Sequence, residues 1–476
     1  MTNSKLDPEN WDDFRAQAHR LLDTCLKRLE NAADFPWVPV PEDIKQSYEI
    51  SGSETKAEAL VERLTHDVLP YHTGNTHPQF FGWVHGTGLA SGLLSEMVAA
   101  TMNSNCGGRD HGATYMERAV IDWTRKVMGL PDTTSGVLVT GTSQATVIAL
   151  SAARLKTLGA ASRKSGNDGA KLVAYAGAGV HTATKNAIEL LGFGSDALRL
   201  VPDDGPDGMD LSALQDLIAQ DRKSGLTPFA IIGTAGSVDR GHFDDLNGLA
   251  DIAQTLGVWL HVDGAFGAWT RLADDPWHGL TDGIGRVDSM ACDFHKWMSV
   301  PYDCGLVLIR QEADHRAAFA ARPSYLAAQQ DGLGAGDPWF CDYGIDLSRG
   351  NRALKVWTAL ELYGQDRFGQ AISENCRLAG FMGDLVTAHA DMALMAPVLS
   401  NVCIFTANAS LDKATQSDLN TLIAQRLQIE GKTVFSTTNA DGIVCLRAAI
   451  VNHRTQNADV QNAISNVHKI AQTLSV

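Results

Sequence analysis

Apolar residues recur at Trp11, Phe14, Ala18, Leu21, Cys25 and Leu29, the three-and-four spacing of an amphipathic helix over residues 9–30. The proline-rich passage DFPWVPVPED follows and is expected to be extended. Residues 1–76 therefore predict a helical arm, too thin to bury a core alone, that packs on the main body or wraps a partner subunit. From about residue 77 the pattern changes. The short apolar runs GVLVTG, KLVAYAG, PFAIIGTAG, GVWLHVDGAF and GLVLIR each close on Gly, Asp or a polar turn. Helical stretches such as SQATVIALSAARLKTLG and TATKNAIELLG lie between them. Alternation of this kind predicts an α/β fold with a mainly parallel sheet sandwiched by helices. Ligands of such sheets sit outside the carboxyl ends of the strands. A long run without periodicity, RPSYLAAQQDGLGAGDPWFCDYGIDLSRG, then leads into the helical pattern NRALKVWTALELYG. The remainder, from NVCIFTAN onward, predicts a smaller C-terminal α+β domain. The expected boundaries are an arm at 1–76, a large domain at 77–350 and a small domain at 351–476.

Composition narrows the function classes. The formal net charge of −16 argues against a nucleic-acid partner, whose phosphates it would repel. No apolar run approaches a transmembrane length, and the N-terminal residues lack the apolar stretch of a signal peptide, so no membrane association is expected. The 8 cysteines are scattered without a CxxC pair, which fits reduced thiols in a cytoplasmic protein and predicts no metal site.

The strand ends carry the candidate chemistry. GVLVT is followed by Gly141, Thr142 and Ser143 at a helix start, either an ordinary N-cap or a cradle for a phosphate. His181 follows the second run and Thr234 the third. Asp263 ends GVWLHV, where a carboxylate is expected to be buried and to need a cationic or donor partner. Lys296, in DFHKWMSVPYDCG, lies in a loop returning into the buried run GLVLI. Asp263 and Lys296 either pair with each other or flank one ligand. Pyridoxal 5'-phosphate needs such a set: a Schiff-base lysine, a carboxylate at the pyridine nitrogen, a helix N-terminus for the phosphate and a group flat against the ring. No GxGxxG follows the first strand, which argues against a Rossmann nucleotide site.

With DFHKW, HVDGAF upstream and LSRGNRALKVW downstream, the chain resembles the group II pyridoxal-phosphate-dependent decarboxylases, similar to aromatic-L-amino-acid and glutamate decarboxylases, over roughly residues 77–455. The resemblance implies the type I fold of pyridoxal-phosphate enzymes and a homodimer with its sites at the interface. It implies an L-amino-acid substrate, aromatic by default, converted to amine and CO2. By the same resemblance Lys296 carries the cofactor, Asp293 and His295 lie beside it, and Asp263 pairs with the pyridinium nitrogen. His181 stacks on the ring with Thr234 beside it, while Gly141, Thr142 and Ser143 bind the phosphate. Arg447, in CLRAAI, is expected near the substrate carboxylate, and Trp83 and His85 near the substrate side chain. Relatives carry a tyrosine in the loop ahead of the Leu-Ser-Arg stretch that returns a proton after CO2 is lost. That position is expected at Phe340, with Tyr343 as the substitute. A phenylalanine there implies oxygen-dependent aldehyde formation as the alternative reaction. A cofactor-free, non-catalytic relative is the alternative outside enzymes, and Lys296 with Asp263 speaks against it. The polar stretch MNSNCGGRDHG, with Asn103, Asn105, Arg109, Asp110 and His111, is expected either to line a polar pocket or to form a solvated loop.

Overall fold

The computed structural model describes residues 6–203, 205, 208–321 and 329–474. Its larger sheet contains β1 (Ser135–Val139), β2 (Leu172–Gly177), β3 (Leu198–Val201), β4 (Thr227–Thr234), β5 (Trp259–Asp263), β6 (Ser289–Asp293) and β7 (Gly305–Ile309). The order across the sheet is β1-β7-β6-β5-β4-β2-β3. β7 runs antiparallel to both of its neighbours, and the remaining pairs are parallel. The central strands are buried along their whole length, so they read as unbroken apolar runs. Helices Thr142–Leu158, Thr182–Leu190, Leu211–Lys223 and Leu246–Leu256 connect the strands.

The predicted α/β fold is therefore observed. Two strands lay outside the recognised runs. β3 is the edge strand, only partly buried, with Arg199 in it. β6 reads Ser-Met-Ala-Cys-Asp and is buried throughout. Its Ser289 is tolerated there because the hydroxyl accepts from Trp259 Nε1 at 2.7 Å and lies 2.9 Å from His261 Nδ1.

A second, antiparallel sheet has the order β10-β11-β9-β8, from β8 (Ala393–Leu394), β9 (Val402–Thr406), β10 (Ser436–Ala440) and β11 (Ile443–Ala449). It packs with helices Lys413–Ile429 and Asn457–Thr473 around a core of its own that includes Phe405, Phe435, Leu427 and Ile464. The long helix Ala353–Ala388 joins the two cores. It breaks at Gly364 (φ 71°), where the sequence pattern also stopped, and then resumes. Residues 79–81 cross to the small sheet: the Phe81 N–H donates to Val434 O at 2.8 Å, and the Ala449 N–H to Phe81 O at 2.8 Å. The arm forms its helix at Trp11–Glu30, capped by Asn10, and no residue of that helix is buried. Among the described residues no helix is long and apolar enough to cross a membrane.

Candidate active site

Register brings the chemistry to one edge of the large sheet. Thr234 at the end of β4 pairs with Asp263 at the end of β5, while Asp293 at the end of β6 pairs with Gly305 at the start of β7. A cavity of about 530 Å³ opens there. Its walls include Trp83, His85, Gly141, Thr142, Ser143, His181, Thr234, Asp263, Asp293, His295 and Lys296, all foreseen as site residues. A larger hollow of about 910 Å³ lies at the opposite edge, where Lys156 pairs with Asp314 at 3.0 Å and Arg286 pairs with Asp251.

Lys296 settles the choice left open above. Its ammonium lies 3.0 Å from Asp293 Oδ2, so Asp293 and not Asp263 is its ion-pair partner. Asp293 is itself buried and accepts the Thr142 N–H at 2.8 Å through Oδ1, tying the lysine to the glycine turn. This closeness demands glycine at 305, where a Cβ would come within 2.6 Å of Asp293 Oδ1 and of Gly141 Cα. The Cys304 N–H donates to His295 Nδ1 at 3.0 Å, so the neutral ring carries its proton on Nε2, 3.7 Å from Asp293 Oδ2. Burial, partly offset by the Asp293 charge, lowers the pKa of His295 and keeps the ring neutral.

Asp263 is buried, and the Ala265 N–H, at 3.1 Å, is its short-range donor. Burial raises its pKa, against the opposing pull of Lys296, this N–H and His181. Such a carboxylate is suited to a cationic partner. His181 caps helix Thr182–Leu190 by accepting the Ala183 N–H at Nδ1 (3.1 Å), which leaves the Nε2 edge for the cavity. Thr234 is held through its N–H by Asp244 Oδ2 at 2.6 Å.

The glycine turn is not an ordinary N-cap. Gly141 occupies the cap position of helix Thr142–Leu158 without any side-chain capping bond. Thr142 Oγ1 is buried and has no hydrogen-bond partner, an orphan hydroxyl at a positive helix end. A lysine amine, a buried carboxylate, an imidazole edge and this anion cradle together fit pyridoxal phosphate.

Three expected site residues are placed elsewhere. Phe340 and Tyr343 are both buried and line a different cavity with Arg118 and Glu312. The Arg349 guanidinium lies 5.2 Å over the Phe340 ring. Tyr343 Oη donates to Glu312, and the Tyr343 carbonyl accepts from His315 Nε2 at 2.7 Å. Both rings are consumed in the core, so neither serves as the loop residue expected to return a proton. The other tyrosine between β7 and Leu347 is Tyr325, which lies outside the described residues.

Arg447 is the third. It stands behind Trp83, with Nη1 donating to the Trp83 carbonyl at 3.1 Å and to Ser436 Oγ at 3.2 Å. Its Nε and Nη2 are buried without partners, and burial lowers its pKa to about 10. Its contact with the cavity runs through Trp83.

Of the two alternatives expected of it, the stretch 102–112 is in the main a solvated loop, with Asn103, Asn105 and Asp110 exposed. Asn105 Oδ1 accepts the Arg349 N–H at 3.1 Å, Arg109 lies 5.0 Å over the Trp339 ring, and Asp110 accepts from Tyr115. These residues fasten the 333–349 segment to the body. Tyr302, which also lines the cavity, was missed although it lies in the lysine stretch itself. Among the described residues no cluster of His, Cys, Asp and Glu could hold a metal ion.

Fold and site together define an enzyme that uses pyridoxal phosphate. The sequence matches the pyridoxal-dependent decarboxylase conserved domain over residues 41–407. It is 30% identical over 439 residues to an aromatic-L-amino-acid decarboxylase of Bacillus atrophaeus, covering 91% of this chain and 89% of that protein. It is 26% identical over 489 residues to a phenylacetaldehyde synthase of Arabidopsis thaliana, covering 98% of each. The solved structure of Oryza sativa TDC with PLP and tryptamine superposes with a TM-score of 0.89 at 25% identity, covering 98% of this chain and 99% of that one. The chain belongs to the pyridoxal-dependent decarboxylase family and is an amino-acid carboxy-lyase.

Proposed function

We propose that the protein decarboxylates an aromatic L-amino acid to its amine, as a cytoplasmic homodimer. The observation that carries the substrate class is the ring-lined wall of the lysine cavity. His85 stacks on Phe80 at 5.8 Å and on Trp83 at 5.5 Å, giving a flat apolar face for a substrate ring. The relatives named for aromatic substrates support the same class.

Bound pyridoxal phosphate supplies the electron sink for the electrons left behind when CO2 departs. Lys296 holds it covalently, and Asp293 keeps the lysine aimed into the cavity. Asp263 holds a proton at the pyridine nitrogen. Thr142 and Ser143 take the phosphate at the helix end, and His295 closes that side as a neutral ring. His181 offers its Nε2 edge to the substrate carboxylate. Holding that carboxylate in one orientation would select CO2 loss over proton loss. With Phe340 and Tyr343 packed into the core of this chain, the return of the proton is assigned to the remaining loop tyrosine, Tyr325.

A second copy of the chain is supported by helix Ser91–Met102. Its exposed face carries Leu94, Met97, Val98 and Met102, and Trp83, Ile345 and Leu347 are exposed as well. The arm, with Trp11 and Phe14 exposed, is assigned to the same interface. Free cysteines, six of them buried, support a reducing compartment.

Incubating the loaded enzyme with a panel of L-amino acids and measuring CO2, amine, aldehyde and peroxide tests the proposal. Amine from an aromatic substrate is expected. Aldehyde with peroxide would place the protein with the aldehyde synthases it also resembles, and CO2 from acidic or aliphatic substrates alone would refute the substrate class.

A further inference from the structure

Two cations of LSRGNRALKVW have no place in the chemistry above. Lys355 is buried, donates to the Tyr302 carbonyl at 3.1 Å and pairs with Glu96 at 3.1 Å. Arg352 Nε donates to Asp303 Oδ1 at 2.8 Å. With the Cys304 N–H bonded to His295, every residue of the loop 302–304 is anchored. Side chains that act on a ligand are held in this way by a supporting layer. The side chain this loop presents to the cavity is Tyr302.

The Tyr302 ring lies 4.4 Å from the His295 ring and edge-on to His85 at 6.3 Å. Trp83, His85, Tyr302 and His295 thus form a continuous wall from the exposed Trp83 to the Asp293–Lys296 pair. A Cβ on Gly86 would approach the His295 carbonyl oxygen to 2.0 Å, so only glycine lets the backbone come this close. Among the described residues no protein acceptor takes the phenol O–H, and Tyr302 is 51% exposed. Burial and the Asp293 charge raise its pKa, so the phenol keeps its proton and stays a donor. Lys296 is the single lysine or arginine among the described lining residues and is already paired, which disfavours an acidic side chain.

We propose that Tyr302 determines specificity by donating a hydrogen bond to a hydroxyl on the substrate ring, so that ring-hydroxylated aromatic amino acids are preferred over unsubstituted ones. The proposal rests on the aromatic substrate class assigned above. A ring hydroxyl that accepts from this phenol adds a contact that an unsubstituted ring cannot make.

The test uses the full-length, cofactor-loaded wild type and Tyr302→Phe, which keeps the ring against His295 and removes only the oxygen. One readout is kcat/KM for L-tyrosine and L-phenylalanine. The other is calorimetric binding of 3-(4-hydroxyphenyl)propionate and 3-phenylpropionate, which lack the amine and cannot react. Wild type is expected to favour the hydroxylated member of each pair about tenfold, the worth of one neutral hydrogen bond. Tyr302→Phe should erase that preference by weakening the hydroxylated member alone. Equal losses on both members, an unchanged ratio, or a wild type without preference overturns the inference and leaves the aromatic class standing. A wild type inactive on every aromatic amino acid overturns both.

Discussion

Replacing Asp263 by Asn is expected to stabilise the cofactor-free protein while disabling the enzyme. A carboxylate has about four acceptor positions, and the short-range donor available here is the Ala265 N–H at 3.1 Å. The Lys296 ammonium is engaged 3.0 Å from Asp293. Burial of this under-compensated charge is what raises the Asp263 pKa. An isosteric neutral side chain relieves about 1–2 kcal/mol, the scale of one poorly compensated buried group. A carboxyl whose folded pKa lies above its unfolded value of about 3.9 opposes folding fully above the folded pKa and not at all below the unfolded one. The stability advantage of Asp263→Asn should therefore be greatest at the high end of the pH range and shrink as the pH falls toward the unfolded pKa. Turnover moves the other way. Without the charge that keeps the pyridine nitrogen protonated, a barrier higher by about 3–5 kcal/mol lowers kcat by roughly 10²–10⁴-fold. Thermal melts of the cofactor-free proteins between about pH 5 and 8, and CO2 release at saturating cofactor, measure the two effects. A variant less stable than wild type at neutral pH, or one with near-wild-type turnover and bound cofactor, refutes the reasoning.

Borohydride reduction of the loaded enzyme should fix the cofactor on Lys296, and peptide mapping that locates it on another lysine would overturn the site. Tyr325→Phe should shift products from amine toward aldehyde and peroxide, whereas Tyr343→Phe should leave the product ratio unchanged; the opposite pattern returns the proton-donor role to Tyr343. Glu117→Ala should destabilise the fold by about 3–5 kcal/mol, because it strands the buried Arg349, whose Nη1 lies 3.1 Å from Glu117 Oε2 and 2.7 Å from Cys106 O. Chemical denaturation measures that loss, and a change below about 1 kcal/mol would show the pair to be dispensable.

The strand ends were legible in the sequence because their signals are local. An apolar run closed by glycine or a polar residue needs no knowledge of what packs on it. Gly141, His181, Thr234, Asp263 and Lys296 could therefore be placed on a common sheet edge from spacing alone. β3 and β6 escaped because their Arg, Ser, Cys and Asp residues break the apolar run, and their partners come from elsewhere in the chain, Asp221 of helix Leu211–Lys223 for Arg199 and Trp259 of β5 for Ser289. Which side chains meet across that edge was decided by tertiary packing. Asp263 is a plausible partner for Lys296 in sequence, but the β6–β7 register with the close approach at Gly305 gives Lys296 to Asp293. Phe340 and Tyr343 carry the right ring chemistry, yet Arg349 covers the Phe340 ring while Glu312 and His315, from the helix after β7, hold Tyr343 in the core. Tyr302 sits six residues beyond Lys296 with no periodic signal; Lys355, far away in the chain, anchors its carbonyl where the ring lines the cavity. Local pattern determines which elements form and where their ends carry polar groups. Contacts between residues hundreds of positions apart depend on register and close packing, which one sequence does not encode in any short window.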